Sequence, residues 1–125
     1  MAQLKAVVID DDVQLSELLQ GALELSGFDV TVVNDSRNAM TQLKAINPAL
    51  ITLDMQMPYV SGVEVLREIR ADSTFDETKV IMISASGQLN QYTEIATGAD
   101  FVLSKPITLS QLRGLVQRLL PNVES

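Results

Sequence analysis

Five short apolar runs, separated from one another by amphipathic or polar segments, constrain the fold of this chain more than any other feature. Most are dense in Val, Ile and Leu at consecutive positions, which is typical of strands that are buried on both faces. The second run alternates in part between apolar and polar residues, which favours an edge strand. The runs are Leu4–Ile9, Phe28–Val33, Leu50–Asp54, Val80–Ser84 and Phe101–Leu103.

The segments between and after these runs carry apolar residues at helical spacing. Gly27 is the expected C′ glycine of the first helix, Ser36 the expected N-cap of the second, and Asn47-Pro48 its end. A weaker helix is predicted over Gln88–Thr97. Strands that alternate with helices five times predict a parallel sheet with right-handed crossovers and helices on both faces. We therefore expect one doubly wound α/β domain over residues 1–125, a flavodoxin-like (βα)5 sandwich with strand order 2-1-3-4-5.

Composition narrows the classes of function. The chain carries 9 Lys and Arg against 16 Asp and Glu, and its net charge of −7 argues against a nucleic-acid partner. With no cysteine and no histidine, it cannot form disulfides, thiolate or imidazole metal sites, or a Ser-His-Asp triad. No apolar run approaches the roughly 20 residues that span a bilayer, and Leu4–Ile9 is too short for the apolar core of a signal peptide. We expect a cytoplasmic protein without a membrane partner.

Polar residues stand at the ends of four of the five predicted strands. They are Asp10-Asp11-Asp12, Asp54, Ser84 and Lys105. In a parallel sheet all carboxyl ends lie at one edge, and open α/β sheets bind their ligands there. Because the first and third strands are neighbours in the predicted order, two acids of the first cluster are expected beside Asp54.

Carboxylates this close together repel one another, so either a pKa rises or a cation fills the space between them. Oxygen ligands without His or Cys favour a hard cation, and a few carboxylates with room for water suit Mg²⁺. A magnesium site beside a carboxylate, the Ser84 hydroxyl and the Lys105 ammonium can handle a phosphoryl group. The metal and the lysine offset its charge, the hydroxyl donates a hydrogen bond, and a carboxylate can act as the nucleophile.

The order and spacing of these residues resemble a response-regulator receiver domain, the CheY-like phospho-acceptor of two-component signalling. The resemblance covers almost the whole chain, from about Leu4 to Leu120. Each motif is weak alone, but all of them in this order are specific. The motifs are the acidic pair after the first strand, Asp54 followed by Met57-Pro58 and Gly62, Ser84-Ala85, and Lys105-Pro106.

The resemblance implies that Asp54 accepts a phosphoryl group from a histidine kinase or a histidine phosphotransfer protein. The domain would then be a signalling phospho-acceptor and not an enzyme in its own right. The resemblance also implies an Mg²⁺ ion held by Asp10, Asp11, Asp54 and the backbone carbonyl of Gln56. Asp11 would bind the ion directly and Asp10 through water.

The same resemblance implies that Ser84 donates a hydrogen bond to the phosphoryl group, that Lys105 pairs with it, and that the Lys105–Pro106 peptide bond is cis. The family often has an aromatic residue three positions before the lysine, and Val102 stands there in this chain. We therefore expect readout through the loop after Ser84 and the helix over Gln88–Thr97, towards a protein target or a homodimer. The short tail after Leu120 predicts a stand-alone receiver, or one excised from a larger protein.

Other interpretations stay open. Asp10-x-Asp12 with Ser84 and Lys105 superficially matches a haloacid-dehalogenase-like phosphatase, although no acidic pair follows Lys105 and Asp54 would have no role. A receiver fold used only for protein interaction, without phosphorylation, is the second alternative. Each residue also has an ordinary structural interpretation: Asp12 can cap a helix and Gly62 can relieve a loop. All of these would have to hold at once, which weighs against them.

Overall fold

The computed structural model describes residues 3–85 and 98–121 of the chain. Its five strands form one parallel sheet in the order β2-β1-β3-β4-β5, which confirms the predicted topology and the edge position of β2. The strands are β1 Lys5–Ile9, β2 Asp29–Val33, β3 Leu50–Asp54, β4 Lys79–Ser84 and β5 Phe101–Ser104.

Four helices pack against this sheet in the described ranges. They are α1 Val13–Leu25, α2 Ala39–Ile46, α3 Gly62–Ala71 and α4 Leu109–Leu119. The helix predicted over Gln88–Thr97 lies outside the described residues. None of the helices in the described ranges is long and apolar enough to cross a membrane.

The three central strands, β1, β3 and β4, are buried on both faces, because their alternate residues point into two opposite layers that are each covered by helices. Val7 and Ile9 of β1 pack in one layer with side chains of α2 and α3, whereas Ala6 and Val8 pack in the other with α1 and α4. All four are fully buried. This two-sided burial explains why β1, β3 and β4 appear in the sequence as continuous apolar runs.

The helix ends follow the local sequence signals in most cases. Asp12 caps α1 by accepting a hydrogen bond from the backbone N–H of Leu15. Gly27 follows the end of α1 with φ 97°, and Asn47 ends α2 in the left-handed region with φ 51°. Thr108 and Gln111 form a reciprocal capping box at the start of α4.

The predicted cap at Ser36 is wrong. Asp35 instead caps a short 3₁₀ turn, Ser36–Asn38, by accepting from the backbone N–H of Arg37, and α2 begins only at Ala39. The hydroxyl of Ser36 is buried and bonds to a different loop. The Ser36 side chain is therefore engaged by a distant backbone, the Asp35 carboxylate caps only the 3₁₀ turn, and α2 itself begins after Asn38 without a side-chain cap.

The entrance to β5 is held by one arginine of α3. The Arg70 guanidinium donates to the backbone carbonyls of Gly98 (2.6 Å), Phe75 (3.0 Å) and Thr78 (3.0 Å), and to the Asp100 carboxylate (3.1 Å). Asp100 in turn accepts from the backbone N–H at the start of β4. This network ties α3, the turn before β4 and the start of β5 together at the amino edge of the sheet.

Arg70→Lys should lower the free energy of unfolding by about 2 kcal/mol, because an ammonium keeps the charge but cannot reach four acceptors at once. Urea unfolding monitored by circular dichroism measures the change. Arg67→Lys, the same change at an exposed position of the same helix, is the control and should stay within about 0.5 kcal/mol of the wild type. Equal losses in the two variants would contradict the role given to Arg70.

Candidate functional site

Three carboxylates meet where the ends of β1 and β3 lie side by side. Ile9 pairs with Leu53 in the sheet, so the next residues along each strand, Asp10 and Asp54, are neighbours. One carboxylate oxygen each of Asp10, Asp11 and Asp54 lies within 4.8 Å of the others. Asp10 is 1% and Asp54 4% exposed, whereas Asp11 is exposed to solvent. The expected acidic cluster is therefore present, with two nearly buried members and one open to water.

Burial raises the pKa of both Asp10 and Asp54, because a carboxylate that loses water favours its neutral form. The charge of Asp10 adds to this effect and brings the pKa of Asp54 to about 7. The backbone N–H of Gln56, 3.3 Å from Asp54 Oδ1, and the charge of Lys105 act in the opposite direction. When the pH is near neutral, these two adjacent carboxyl groups therefore compete for a proton or a cation.

The donor set fits a hard divalent cation. Asp10 Oδ1 accepts the backbone N–H of Asp12 at 2.9 Å, but Asp10 Oδ2 is buried without a hydrogen-bond partner in the described structure. A buried carboxylate oxygen without a partner is costly unless a cation or a proton satisfies it. The cluster offers oxygen ligands from Asp10, Asp11 and Asp54, with Asp11 on the side open to water, and this arrangement suits Mg²⁺.

Lys105 reaches the same cluster from the end of β5. Its Nζ lies 3.9 Å from Asp54 Oδ2, and its backbone N–H donates to the carbonyl of Ser84 at 2.9 Å. The Lys105–Pro106 peptide bond is cis, as expected. Ser84 ends β4, one residue beyond Ile83, the register partner of Asp54. Its hydroxyl is fully buried and, within the described residues, has no hydrogen-bond partner.

The loop after Asp54 folds back on the strand that carries it. The backbone N–H of Met55 donates to Ile83 at 2.9 Å, and the carbonyl of Met55 accepts from the N–H of Gly62 at 3.0 Å. A Cβ added at Gly62 would lie 1.9 Å from the backbone oxygen of Asp54. Gly62 therefore does more than relieve a loop: only glycine lets α3 approach the acceptor residue this closely.

Two other expectations concern residues around the cluster. Asp12 lies outside the carboxylate cluster and caps α1 with its side chain, so the second acid of the phosphatase interpretation has a structural role. Val102 packs against the core layer of α2 and α3, while its neighbour Phe101, on the other face of β5, is 43% exposed. The loop expected to carry the readout lies, beyond Ala85, outside the described residues.

Sequence analysis missed two residues that border the site, Asn34 and Ser36. Both follow β2, whose carboxyl end lies at the same edge as the other strand ends. The rule that singled out Asp10, Asp54 and Lys105 applies equally to a polar segment after the edge strand. The run Asn34-Asp35-Ser36 was therefore a readable signal.

Comparison with known proteins agrees with this geometry. The family model "Response regulator receiver domain" matches residues 6–117. The chain belongs to the response-regulator receiver family. The chain is thus a receiver domain of two-component response regulators, and the phosphatase interpretation is not favoured.

Curated relatives and solved structures support the same assignment. The transcriptional regulatory protein CpxR homolog of Haemophilus influenzae is 36% identical over 117 residues, which cover 93% of this chain and 50% of that protein. The DNA-binding response regulator MtrA of Mycobacterium leprae is 32% identical over 117 residues, 93% of this chain and 51% of that protein. The receiver domain thus spans about half the length of these relatives.

Among solved structures, the receiver domain of Francisella response regulator 1452 is 30% identical, with a TM-score of 0.82, and the match covers 93% of this chain and 95% of that one. The chemotaxis protein CheY4 of Vibrio cholerae has a TM-score of 0.87 over 95% of this chain and all of its own. At 24% identity it supports the fold alone.

Gly62→Ala should destabilise the receiver by more than about 2 kcal/mol, because the new Cβ meets backbone that cannot move without shifting Asp54. Gly21→Ala in α1 is the matched control: a Cβ there meets nothing within 4 Å, and alanine should stabilise the helix by about 0.5–1 kcal/mol. Thermal or urea unfolding measures both. A Gly62→Ala protein as stable as the wild type would contradict the close approach.

The raised pKa of Asp54 predicts that the stability of the metal-free protein depends on pH. Below its ordinary pKa of 3.8 the carboxyl is protonated in both folded and unfolded chains. Between there and about 7 the folded chain keeps a proton that the unfolded chain has released, so stability falls as pH rises. Asp54→Asn should therefore exceed the wild type in stability by about 2 kcal/mol at pH 8 and by much less at pH 4.5.

Urea unfolding in EDTA at the two pH values measures this difference. Adding Mg²⁺ at pH 8 should stabilise the wild type more than Asp54→Asn, because the ion neutralises the two carboxylates that repel each other once Asp54 has lost its proton. The same stability gap between variant and wild type at both pH values would contradict the assigned pKa.

Proposed function

We propose that this receiver domain accepts a phosphoryl group on Asp54 from a phosphohistidine of a histidine kinase or a histidine phosphotransfer protein. The observation that carries the proposal is the nearly buried carboxylate of Asp54, which shares an oxygen cluster with Asp10 and Asp11 and lies 3.9 Å from the ammonium of Lys105. Phosphorylation then changes contacts with a protein target or with a second copy of the chain.

In the transfer, one Asp54 oxygen forms the new P–O bond while the P–N bond of the phosphohistidine breaks. The leaving imidazole nitrogen keeps the electron pair of that bond. Asp54 needs no general base, because its ionised form is already a nucleophile. Mg²⁺, held by Asp10, Asp11, Asp54 and the backbone carbonyl of Gln56, supplies neutralising charge for the phosphoryl oxygens when bound.

The remaining residues of the site stabilise the phosphorylated carboxyl. Lys105 pairs with a phosphoryl oxygen, and its present distance from Asp54 Oδ2 supports this role. Ser84 donates a hydrogen bond to another, which would satisfy a hydroxyl that is buried without a partner in the described residues. Each interaction strengthens as negative charge replaces the neutral or singly charged carboxyl.

The proposed role is that of a phospho-accepting signalling domain and not of an independent enzyme. Phosphorylation adds negative charge to a chain whose net charge is already −7, so a state-dependent partner presents a basic or apolar face. We propose a single receiver domain over residues 1–125 with a protein partner and a cytoplasmic location, as expected from the sequence.

Intact mass spectrometry after incubation with Mg²⁺ and a small acyl-phosphate donor tests the proposal. We expect one added phosphoryl group on the wild type, lost in EDTA, and none on Asp54→Asn. Glu64→Gln, an exposed acid at the start of α3, is the charge-matched control and should label like the wild type.

Two results would contradict the proposal. A protein that takes up neither a phosphoryl group nor beryllofluoride would favour the interaction module that needs no phosphorylation. An adduct that survives in Asp54→Asn but disappears in Asp10→Asn would revive the phosphatase interpretation.

A further inference from the structure

The connection between β2 and α2, residues Asn34–Asn38, touches both sides of the carboxylate cluster; we name it the β2–α2 strap. On one side, Asn34 Nδ2 donates to the backbone carbonyl of Asp10 at 2.8 Å and to the hydroxyl of Ser16 at 3.0 Å. Because Ser16 belongs to α1, Asn34 holds the end of β1 and the first turn of α1 in a common position. Asn34, the residue after the edge strand β2, thereby fixes the backbone of Asp10.

On the other side, Ser36 holds the loop that follows Asp54. Its hydroxyl donates to the carbonyl of Pro58 and accepts from the N–H of Val60 at 3.1 Å. Between those two residues, Tyr59 has φ 72°, and the Val60 N–H also donates to the Pro58 carbonyl at 2.9 Å. This hydrogen bond across one residue forms a γ-turn, a conformation that is rare and strained for a residue with a side chain.

A second contact from the strap covers the same turn. The guanidinium of Arg37 lies over the ring of Tyr59, 3.9 Å from its centroid. Asp35 fixes that guanidinium with two hydrogen bonds of 3.1 and 2.8 Å. A strained turn persists only where its surroundings determine it, and here those surroundings are Ser36 and Arg37 of the strap.

Gln56 lies in the short stretch between two fixed points. Met55 is pinned on the sheet side by its bonds to Ile83 and Gly62, and the turn at Tyr59 is pinned by the strap. The backbone between these points, which carries the proposed carbonyl ligand, has little freedom left. Loss of the two Ser36 hydrogen bonds would free one end of this backbone stretch.

We infer that the β2–α2 strap is a brace in which Asn34 and Ser36 are positioning residues: they fix the backbones of Asp10 and Gln56 on opposite sides of the cation site and so set its affinity for Mg²⁺. This inference rests on the proposed function. Substitution of a residue that orients metal ligands without touching the metal commonly lowers the affinity for the metal by tenfold or more.

Mg²⁺ titration of the ¹⁵N-labelled full chain, followed by amide chemical shifts, tests the brace. The variants are Asn34→Ala, Ser36→Ala and the double variant. Thr78→Val is the matched control, since it removes a buried hydroxyl that donates to the Pro48 carbonyl at 2.9 Å, at the opposite edge of the sheet. Urea unfolding of each variant measures the accompanying loss of stability.

The brace predicts that Asn34→Ala and Ser36→Ala each raise the Kd for Mg²⁺ by about tenfold. Thr78→Val should stay within about twofold of the wild type while losing comparable stability. Because either change releases the same strap, the double variant should lose less than the product of the single losses.

Single variants that lose stability but bind Mg²⁺ like the wild type would overturn the brace and leave the proposed function standing. The same would follow if Thr78→Val weakened Mg²⁺ binding as much as Asn34→Ala and Ser36→Ala do. A wild type that binds no Mg²⁺ at millimolar concentration would overturn the proposed function together with the brace.

Discussion

Two carboxylates held next to each other with little access to water are the constraint on which the rest of this structure depends. Parallel pairing of β1 with β3 places Asp10 beside Asp54, and the two cannot both ionise without a compensating charge. Lys105 provides part of that charge from the end of β5. A proton or a divalent cation must supply the rest of the compensating charge. The carboxyl edge of the sheet therefore responds to protonation and to cation binding.

The fold keeps this arrangement in place through contacts that are distant in sequence. Gly62 brings α3 against the backbone of Asp54, the β2–α2 strap holds both sides of the cluster, and Arg70 ties the start of β5 to α3. The two neighbouring acids and the strained turn at Tyr59 both oppose folding. The burial of the two apolar layers offsets this cost.

Much of the fold was predictable because its signals are local. A strand covered on both faces must be continuously apolar, so β1, β3 and β4 stand out, and alternation with helices then leaves few topologies. The site was predictable for the same reason: Asp54 and Ser84 end strands, Asp10 and Lys105 directly follow strands, and parallel strands end at one edge. Sequence spacing could therefore place them together without any knowledge of packing.

The contacts that tune the site were not predictable in this way. The bonds of Ser36, Asn34 and Arg70 join residues that are 22, 24 and 28 positions apart, and no periodicity or cap pattern indicates such partners. Ser36 is instructive, since its local pattern favours a helix cap while its tertiary partner is the turn at Tyr59. The role of Gly62 likewise depends on how closely α3 approaches β3, which follows from packing.

A crystal structure of the protein with Mg²⁺ and beryllofluoride tests the central claim most directly. The account predicts beryllium bonded to an Asp54 oxygen, Mg²⁺ among the oxygens of Asp10, Asp11, Asp54 and Gln56, and fluorine atoms within hydrogen-bond distance of Ser84 Oγ and Lys105 Nζ. Beryllofluoride bonded to Asp10 instead, or a metal ion bound away from the three carboxylates, would contradict it.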